Sequence, residues 1–270
     1  MKPVTTLSET GPPRRPPRKP WHNYLRTAFW VILGFVITIA AWQAIITIRD
    51  VPNYVVPPPG DVWESLNNDF DTLWRNTKPT AIESIGGFLI GSGGAIVLAI
   101  VFVHSRILRR MFLPVVIVIR TIPVVAIAPV LVLMLGNGLA PKLVIAALIS
   151  FFPTLVNMVE GLESVNSQSL ELFRVLSANR WEVFWKLRIY KSLPFLFASL
   201  KIASTASVIG AVVAEWIGSD KGLGALIILS TFNFRTSLLY ATMVFASILA
   251  LVLFASVALL ERLVVRWQPE

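Results

Sequence analysis

The sequence predicts an all-α polytopic membrane protein with six transmembrane helices, and composition and hydropathy support this prediction. Of the 270 residues, 55% are hydrophobic and only 14% are charged, and the mean hydropathy is +0.71. Charged residues make up about 25% of an ordinary soluble domain. Two charge-free runs, residues 28–48 and 238–260, reach the length of about 20 residues that crosses a hydrocarbon core of about 30 Å. A soluble protein with buried helices is therefore disfavoured.

A basic, proline-rich tail precedes the apolar segments. Residues 1–26 hold six lysines and arginines among many prolines. Such a composition cannot bury an apolar face, so we expect a disordered cytoplasmic tail. A signal peptide is the competing interpretation, but the first apolar run is about twice the usual length of an h-region and no A-x-A-like site follows it. We therefore expect a retained first transmembrane helix.

The rest of the chain, residues 27–265, is expected to form one membrane domain. Each apolar segment is separated from the next by a polar or glycine-containing interval, the last of them residues 218–235, which we expect to be a loop. The predicted spans lie at about residues 28–48, 81–103, 111–135, 143–159, 195–217 and 238–260.

Local signals predict details around the second span. Pro57 to Gly60 predicts a turn, and the amphipathic helix that follows it is expected to have Asp61 as its N-cap with Glu64 three residues later. Within the span, Gly87 and Gly91 form a small-xxx-small pair, which lets the backbone of another helix approach closely.

The third span contains three prolines and one arginine. Pro114, Pro123 and Pro129 are expected to break or kink the helix, and the freed carbonyl groups then need partners. If the helix begins near Met111, Arg120 lies about 13 Å along it. An arginine inside a membrane segment is costly without a partner and is a functional-site hypothesis by default. The alternative is that it snorkels to the interface or forms a structural ion pair.

The distribution of basic residues predicts the orientation. With the N-terminus in the cytoplasm, 17 lysines and arginines fall on the cytoplasmic side and 6 on the other, with Arg120 inside the bilayer. Because positively charged loops stay inside, both termini are expected to be cytoplasmic. The long polar interval, residues 160–194, is then also cytoplasmic, where a soluble partner can reach it.

No catalytic signature is present in the sequence. There is no G-x-x-x-x-G-K-[ST] phosphate loop and no G-x-S-x-G nucleophile motif. His22 and His104 are isolated and the chain has no cysteine, so a His/Cys metal site or a Cys-His nucleophile is unsupported.

The interval 160–194 contains a pattern that resembles the EAA loop of ABC-type importer permeases. Glu171 stands at the position of the motif's glutamate, and Trp181 and Phe184 stand at its aromatic positions. Leu193-Pro194 lies where related permeases often show a second Leu-Pro. Three parts of the motif differ: Leu172-Phe173 replace two alanines, Ser177 replaces a glycine and Ile189-Tyr190 replace the first Leu-Pro.

Further motifs are similar, in order and spacing, to those of the nitrate, sulfonate, taurine and bicarbonate permeases and of the thiamine-precursor and riboflavin permeases. They are Val56-Pro57-Pro58-Pro59, Ile122-Pro123 to Ala128-Pro129, Phe151-Phe152-Pro153, Ala214-Glu215 and Lys221-Gly222-Leu223-Gly224. The resemblance covers about residues 50–265. It implies a type I ABC importer permease of the bacterial inner membrane, with a cytoplasmic coupling helix between the fourth and fifth spans.

The same resemblance implies the partners. The chain itself would be no enzyme and would bind no cofactor, because ATP and Mg²⁺ would be bound by two separate ATPase subunits. A periplasmic or lipoprotein solute-binding protein would deliver the solute, and a second permease subunit, identical or closely related, would complete the path. Nucleic acid is not an implied partner. The solute would be a small anion such as nitrate, a sulfonate or bicarbonate, or a heterocycle such as a thiamine precursor or riboflavin.

Two groups of residues are the expected functional sites. Asn179 is a good N-cap with Glu182 at N3, so a helix should begin at Arg180 after a turn around Ser177 and Ala178. By the resemblance this helix would dock on the ATPase, and the expected coupling residues are Glu171, Arg174, Ser177, Asn179, Arg180, Trp181 and Phe184. Alternatively, the aromatic residues pack on the bilayer surface or on the bundle. The expected translocation-path residues are Arg120, Pro123 and Glu215.

Two other classes of function stay open as alternatives. An ion-coupled secondary transporter would need carboxylates in the membrane and often has an internal repeat. Glu83 and Glu215 are expected near the outer ends of their spans, and no repeat is visible. A membrane scaffold that does not transport would leave a capped aromatic helix between basic flanks unexplained.

Overall fold

The computed structural model describes residues 21–265, and every regular element within that range is a helix. The predicted tail lies outside the described residues except for its last six positions, which are helical. The helices are α1 (Trp21–Arg49), α2 (Pro59–Asn68), α3 (Phe70–His104), α4 (Arg106–Arg120), α5 (Val124–Leu135), α6 (Leu139–Glu163), α7 (Ser167–Val175), α8 (Arg180–Val183), a π-helical segment (Phe184–Arg188), α9 (Ile189–Glu215), α10 (Leu223–Phe232) and α11 (Thr236–Val264).

The described chain has five helices that are long and apolar enough to cross a membrane, or six if one bent pair counts as a span. α1 belongs to a compact unit that ends at Val51, and the helices from α2 onward form a second unit. In that second unit the spanning helices are α3, α6, the continuous helix Arg180–Glu215 and α11, and the bent pair consists of α4 and α5.

The bent pair replaces the predicted third span. α4 and α5 meet at an angle of 98°, and the break falls at residues 121–123 because the residue before Pro123 is disfavoured in the α conformation. The amides of Thr121 and Ile122 donate to the carbonyls of Val118 and Ile119 at 3.0 and 3.1 Å, so carbonyls at the end of α4 keep partners. Arg120 is therefore the exposed last residue of α4 rather than a residue midway along a continuous helix.

The centre of the second unit is formed by α3, α6 and α9. Gly87 and Gly91 face α6, where an added Cβ would lie 2.3 Å from the Cβ of Ala146 and 2.2 Å from the carbonyl oxygen of Ala147. On α9, a Cβ at Gly210 would lie 3.0 Å from the Cα of Ala146. The close approach predicted from the small-xxx-small pair is confirmed, since only glycine lets these backbones come so near.

Three expectations about polar intervals are wrong. α2 begins at Pro59 with Pro58 as N-cap, so Asp61 lies inside the first turn and is not the N-cap. The helix can begin at Pro59 because the fixed φ angle of proline suits the first helical position. The predicted loop 218–235 contains α10, because the ten residues after Gly222 are uncharged and apolar enough for a helix. The interval of residues 104–110 between the second and third predicted spans is almost entirely helical, because only Ser105 separates α3 from α4; the hydroxyl of Ser105 accepts from the amide of Leu108 at 3.3 Å.

Candidate functional site

The turn between α7 and α8 has the geometry of a helix ending in a left-handed residue. Ser177 has φ +54°, the amide of Ser177 donates to the carbonyl of Arg174 at 2.9 Å, and the amide of Ala178 donates to the carbonyl of Phe173 at 2.9 Å. These two bonds are those of a Schellman motif, in which the left-handed position is usually glycine. The serine that replaces the glycine of the resembled motif therefore holds the conformation that glycine adopts without strain.

α8 begins where the sequence predicts. The side-chain oxygen of Asn179 accepts from the amide of Glu182 at 2.9 Å, and the carboxylate of Glu182 accepts from the amide of Asn179 at 3.0 Å. This reciprocal pair is a capping box, and it confirms Asn179 as N-cap and Arg180 as the first helical residue. Lys186 adds an ion pair to Glu182 at 3.2 Å, one turn later.

Four aromatic rings meet where α8 and the π-helical segment contact the end of α3. The ring centroid of His104 lies 4.8 Å from that of Phe184 and 5.0 Å from that of Trp181, and Phe184 lies 5.5 Å from Trp185. Phe184 is 2% exposed and packs into a core cluster that includes Phe102, whereas Trp181 and Trp185 are 60% and 61% exposed. Phe184 therefore anchors the segment to the bundle, and the two tryptophans stay accessible.

The structure thus separates the expected coupling residues into two groups. Phe184 is enclosed and Asn179 and Ser177 shape the backbone, while the side chains of Glu171, Arg174 and Arg180 are exposed. Trp181, also expected, is exposed as well, and sequence reasoning missed four exposed apolar side chains near it in sequence: Leu172, Val175, Leu176 and Trp185. We call the set formed by Leu172, Val175, Leu176, Trp181 and Trp185 the docking face.

Leu172, which departs from the motif, and the spacing of its apolar neighbours are the sequence signal that could have indicated the docking face. Leu172 lies in α7 and Leu176 is the C-cap of that helix four residues later, so the two side chains lie on the same side of it. The side chain of Val175, on the turn between them, is 82% exposed. Large apolar residues that stay exposed next to one another mark interaction surfaces more often than isolated ones do.

The segment of residues 167–188, formed by α7, α8 and the π-helical segment and here called the coupling segment, is connected to the rest of the bundle. The π-helical segment joins α8 to α9 without a break, giving a continuous helix from Arg180 to Glu215. Arg188 donates to the carbonyl of Leu162 at 3.0 Å, and Arg109 forms an ion pair with Glu163. The segment that carries Trp181 and Trp185 is therefore connected to α9 through the chain and to α6 through Arg188.

A buried polar network lies at the opposite end of α3. Glu215 is 1% exposed; its carboxylate accepts from the hydroxyl of Thr80 at 2.7 Å and from the amide of Gly224 at 2.6 Å. Nearby, Lys142 donates to Glu83 at 2.9 Å and to Ser219 at 2.7 Å. The network joins α3, α6 and α9 to the start of α10, so it holds this end of the bundle together.

The glycines of the Lys-Gly-Leu-Gly motif make room for this network. An added Cβ at Gly222 would lie 1.9 Å from Oε1 of Glu215, and one at Gly224 would lie 2.2 Å from the carbonyl oxygen of Val212. Gly222 also has φ +113°, which L side chains rarely adopt. The two motifs Ala214-Glu215 and Lys221 to Gly224, separated by five residues in the sequence, therefore form one structural unit.

The three expected path residues have different surroundings. Arg120 and Pro123 are exposed at the bend between α4 and α5, whereas Glu215 is enclosed by the hydrogen bonds of the buried network. Their joint role in a path stays a prediction. Within residues 21–265 no group of three or more potential metal ligands comes together.

Comparisons with known proteins agree with the motifs. Residues 91–268 match a family described as binding-protein-dependent transport system inner membrane component. The riboflavin transport system permease protein RibX of Chloroflexus aurantiacus is 34% identical, covering 88% of this chain and 91% of its own. The formylaminopyrimidine transport permease protein ThiX of Halalkalibacterium halodurans is 31% identical, covering 88% of this chain and 95% of its own.

Two further similarities are more distant. The putative aliphatic sulfonates transport permease protein SsuC of Bacillus subtilis is 25% identical, covering 86% of this chain and 85% of its own. A chain of the inward-facing MetNI methionine ABC transporter superposes with a TM-score of 0.57 at 19% identity, covering 70% of this chain and 93% of that one. At that identity the likeness shows the fold alone, and it agrees with the predicted type I importer permease.

Proposed function

Because the chain belongs to the family of binding-protein-dependent transport system inner membrane components, we propose that its docking face couples an ABC ATPase subunit to the transmembrane helices. The chain is the permease subunit of an ATP-driven importer. The single observation that supports the coupling role is an exposed apolar surface on a segment that continues directly into α9.

The chemistry of the docking face fits a protein partner. Tryptophan and arginine are the residues that most often carry the binding energy of an interface, and Trp181, Trp185 and Arg180 are all exposed on one short stretch. The capping box and the buried ring of Phe184 fix the backbone that presents them. A surface that is ordered before binding loses less entropy on binding.

Transmission of movement follows from the connections of the coupling segment. When ATP closes the partner dimer, the two coupling segments of a permease dimer would move together. The continuous helix Arg180–Glu215 would carry this movement across the membrane, and the bundle would alternate between inward and outward openings. The bend between α4 and α5 and the exposed Arg120 would line the changing path.

The solute is a small heterocycle in this proposal. The two named relatives with the higher identities, 34% and 31%, are permeases for riboflavin and formylaminopyrimidine, and the relative named for aliphatic sulfonates is 25% identical. A solute-binding protein would select the solute and deliver it to the outer face.

The remaining parts of the assembly are proposed on the same basis. Two ATPase subunits would bind ATP and Mg²⁺, a second permease subunit, identical or closely related, would face this one, and the chain would bind no cofactor itself. Both termini would lie in the cytoplasm, as the excess of 17 basic residues over 6 suggests.

Reconstitution tests this proposal. The chain would be co-expressed with its ATPase and solute-binding protein, placed in proteoliposomes and supplied with radiolabelled riboflavin, formylaminopyrimidine or an alkanesulfonate. We expect uptake of a heterocycle that requires ATP inside the liposomes and the binding protein outside. Uptake of the sulfonate alone would reassign the solute. Uptake driven by an ion gradient without ATP, or no uptake of any solute, would favour the secondary transporter or the scaffold.

A further inference from the structure

A cavity of about 750 Å³ opens between the end of α3, the start of α4 and the π-helical segment. Four arginines and a single carboxylate line it, together with a few apolar side chains: Arg106, Arg109, Arg110, Arg188, Glu163 and Leu113. Phe102, Val103 and Pro114 are the other apolar residues that line it. The cavity lies at the end of α3, whereas the buried network of Glu83 and Glu215 lies toward its start. None of the docking-face residues lines the cavity.

The arginines of this cavity are not equivalent. Arg109 is paired with Glu163, and Arg188 donates to the carbonyl of Leu162 at 3.0 Å. Arg106 and Arg110 have no hydrogen-bond or ion-pair partner among the residues that the structure describes, and both are exposed. One carboxylate against four guanidinium groups leaves the cavity with a surplus of positive charge.

Surplus guanidinium groups around a cavity are suited to an oxyanion. Arginine presents its N–H groups as a fixed fork that matches phosphate oxygens, and such charge-assisted pairs are stronger than neutral hydrogen bonds. Arg109 and Arg188 are held in place by their bonds to Glu163 and Leu162. The two unpartnered ones, Arg106 and Arg110, lie one helical turn apart on α4, so their side chains share a face.

The surroundings of the cavity favour an amphiphile over a soluble anion. α4 has no buried residue, and beside its arginines it exposes the apolar side chains of Ile107, Met111 and Val115. Arginines on one face of an exposed helix, with apolar residues next to them, are the arrangement that holds an anionic headgroup while the acyl chains stay in the apolar phase. The arginine side chains and the exposed apolar side chains of α4 therefore lie next to each other on one exposed surface.

We propose that this cavity binds a phosphate-bearing anion, and that the headgroup of an anionic phospholipid supplies it. Arg106 and Arg110 contact the phosphate, and Arg109 and Arg188 position it through their fixed partners. The bound headgroup lies next to two contacts of α6: the Arg109–Glu163 pair, which joins α4 to α6, and the Arg188–Leu162 bond, which joins the π-helical segment to α6. This inference does not depend on the identity of the transported solute.

Lipid binding is measured on the intact transporter complex. The complex is purified from nanodiscs of phosphatidylcholine with increasing fractions of phosphatidylglycerol, and retained lipid is counted by native mass spectrometry. Wild type is compared with Arg106→Gln, with Arg110→Gln and with the double variant. We expect a loss of affinity for phosphatidylglycerol of roughly fivefold for each arginine removed and roughly 25-fold for both, since each basic residue acts separately on an anionic surface.

Two further arms separate the source of the anion from general charge effects. Arg262→Gln removes an exposed arginine at the end of α11, outside the cavity, and it should retain phosphatidylglycerol like wild type. Inorganic phosphate is titrated against the complex in pure phosphatidylcholine; binding that is lost in the double variant, without any preference for phosphatidylglycerol, would assign the site to a soluble phosphate.

Three outcomes overturn the proposal. The first is equal phosphatidylglycerol retention in wild type and the double variant, with no phosphate binding. The second is an equal loss in Arg262→Gln, which would mean that net charge alone matters. The third is loss of the ATPase subunit from the double variant with lipid retention unchanged, which would identify the arginines as contacts of the ATPase.

Discussion

The carboxylate of Glu215 accepts a hydrogen bond of 2.6 Å from the backbone amide of Gly224, nine residues further along the chain. The other oxygen accepts from Thr80 at 2.7 Å, and the hydroxyl of Thr80 in turn accepts from the amide of Leu223 at 2.8 Å. A buried carboxylate thus holds the start of α10 through backbone groups that would otherwise lack partners, as the first amides of any helix do.

Alanine at Gly222 or Gly224 is expected to destabilise the bundle by about 3–5 kcal/mol, because a Cβ at either position overlaps Glu215 or the carbonyl of Val212. The loss appears as a lower melting temperature in detergent, measured by fluorescence-detected size exclusion. Gly93→Ala is the matched control, since an added Cβ there meets nothing within 4 Å. Equal melting temperatures for Gly224→Ala and Gly93→Ala would contradict the role of the network.

Glycine at Ser177 is expected to stabilise the coupling segment by about 1 kcal/mol, because the residue has φ +54° and a left-handed conformation costs an L side chain about 1–2 kcal/mol. Hydrogen exchange of α7 and α8 would slow by roughly fivefold where it occurs by local opening. Ala178→Gly, at a neighbouring residue without positive φ, should speed exchange instead. Faster exchange in Ser177→Gly would show that the turn differs from this geometry.

Truncation of Phe184 should lower the stability of the isolated permease, whereas truncation of Trp181 should not. Phe184→Ala is expected to cost about 3–5 kcal/mol of stability, since it empties a site in a packed core. Trp181→Ala removes an exposed ring and should leave the melting temperature of the isolated permease nearly unchanged. Melting curves of the two variants without partner subunits test this. A larger loss for Trp181→Ala would mean that Trp181 packs on the bundle.

The bundle and the start of the coupling helix could be predicted from local signals. Charge-free runs predict spans because each run must satisfy its own backbone in lipid, and the spacing of Asn179 and Glu182 predicts the capping box because that motif is local. Likewise, the three prolines predict a break in the third span, although not that it falls at Pro123 with an angle of 98°.

Other features depend on contacts distant in sequence and could not be predicted. The aromatic cluster needs His104, which is isolated in the sequence, and Phe184 is buried by a core cluster of residues from α3 and α6. Glu215 was expected to line a path, but its surroundings are set by Thr80 and Gly224 on other helices. The sequence did not predict α10, because the glycines before it, Gly218 and Gly222, are typical of a loop.

The docking face carries the central claim, and affinity capture of the ATPase subunit by the tagged permease tests it most directly. Trp181→Ala combined with Trp185→Ala should weaken ATPase binding by about 30-fold or more, the effect of losing one or two dominant interface residues, with membrane insertion and melting temperature unchanged. The matched control is Phe232→Ala with Phe234→Ala, which removes two exposed aromatic rings at the end of α10 and just after it and should bind ATPase like wild type. Normal ATPase binding by the double tryptophan variant would contradict the account.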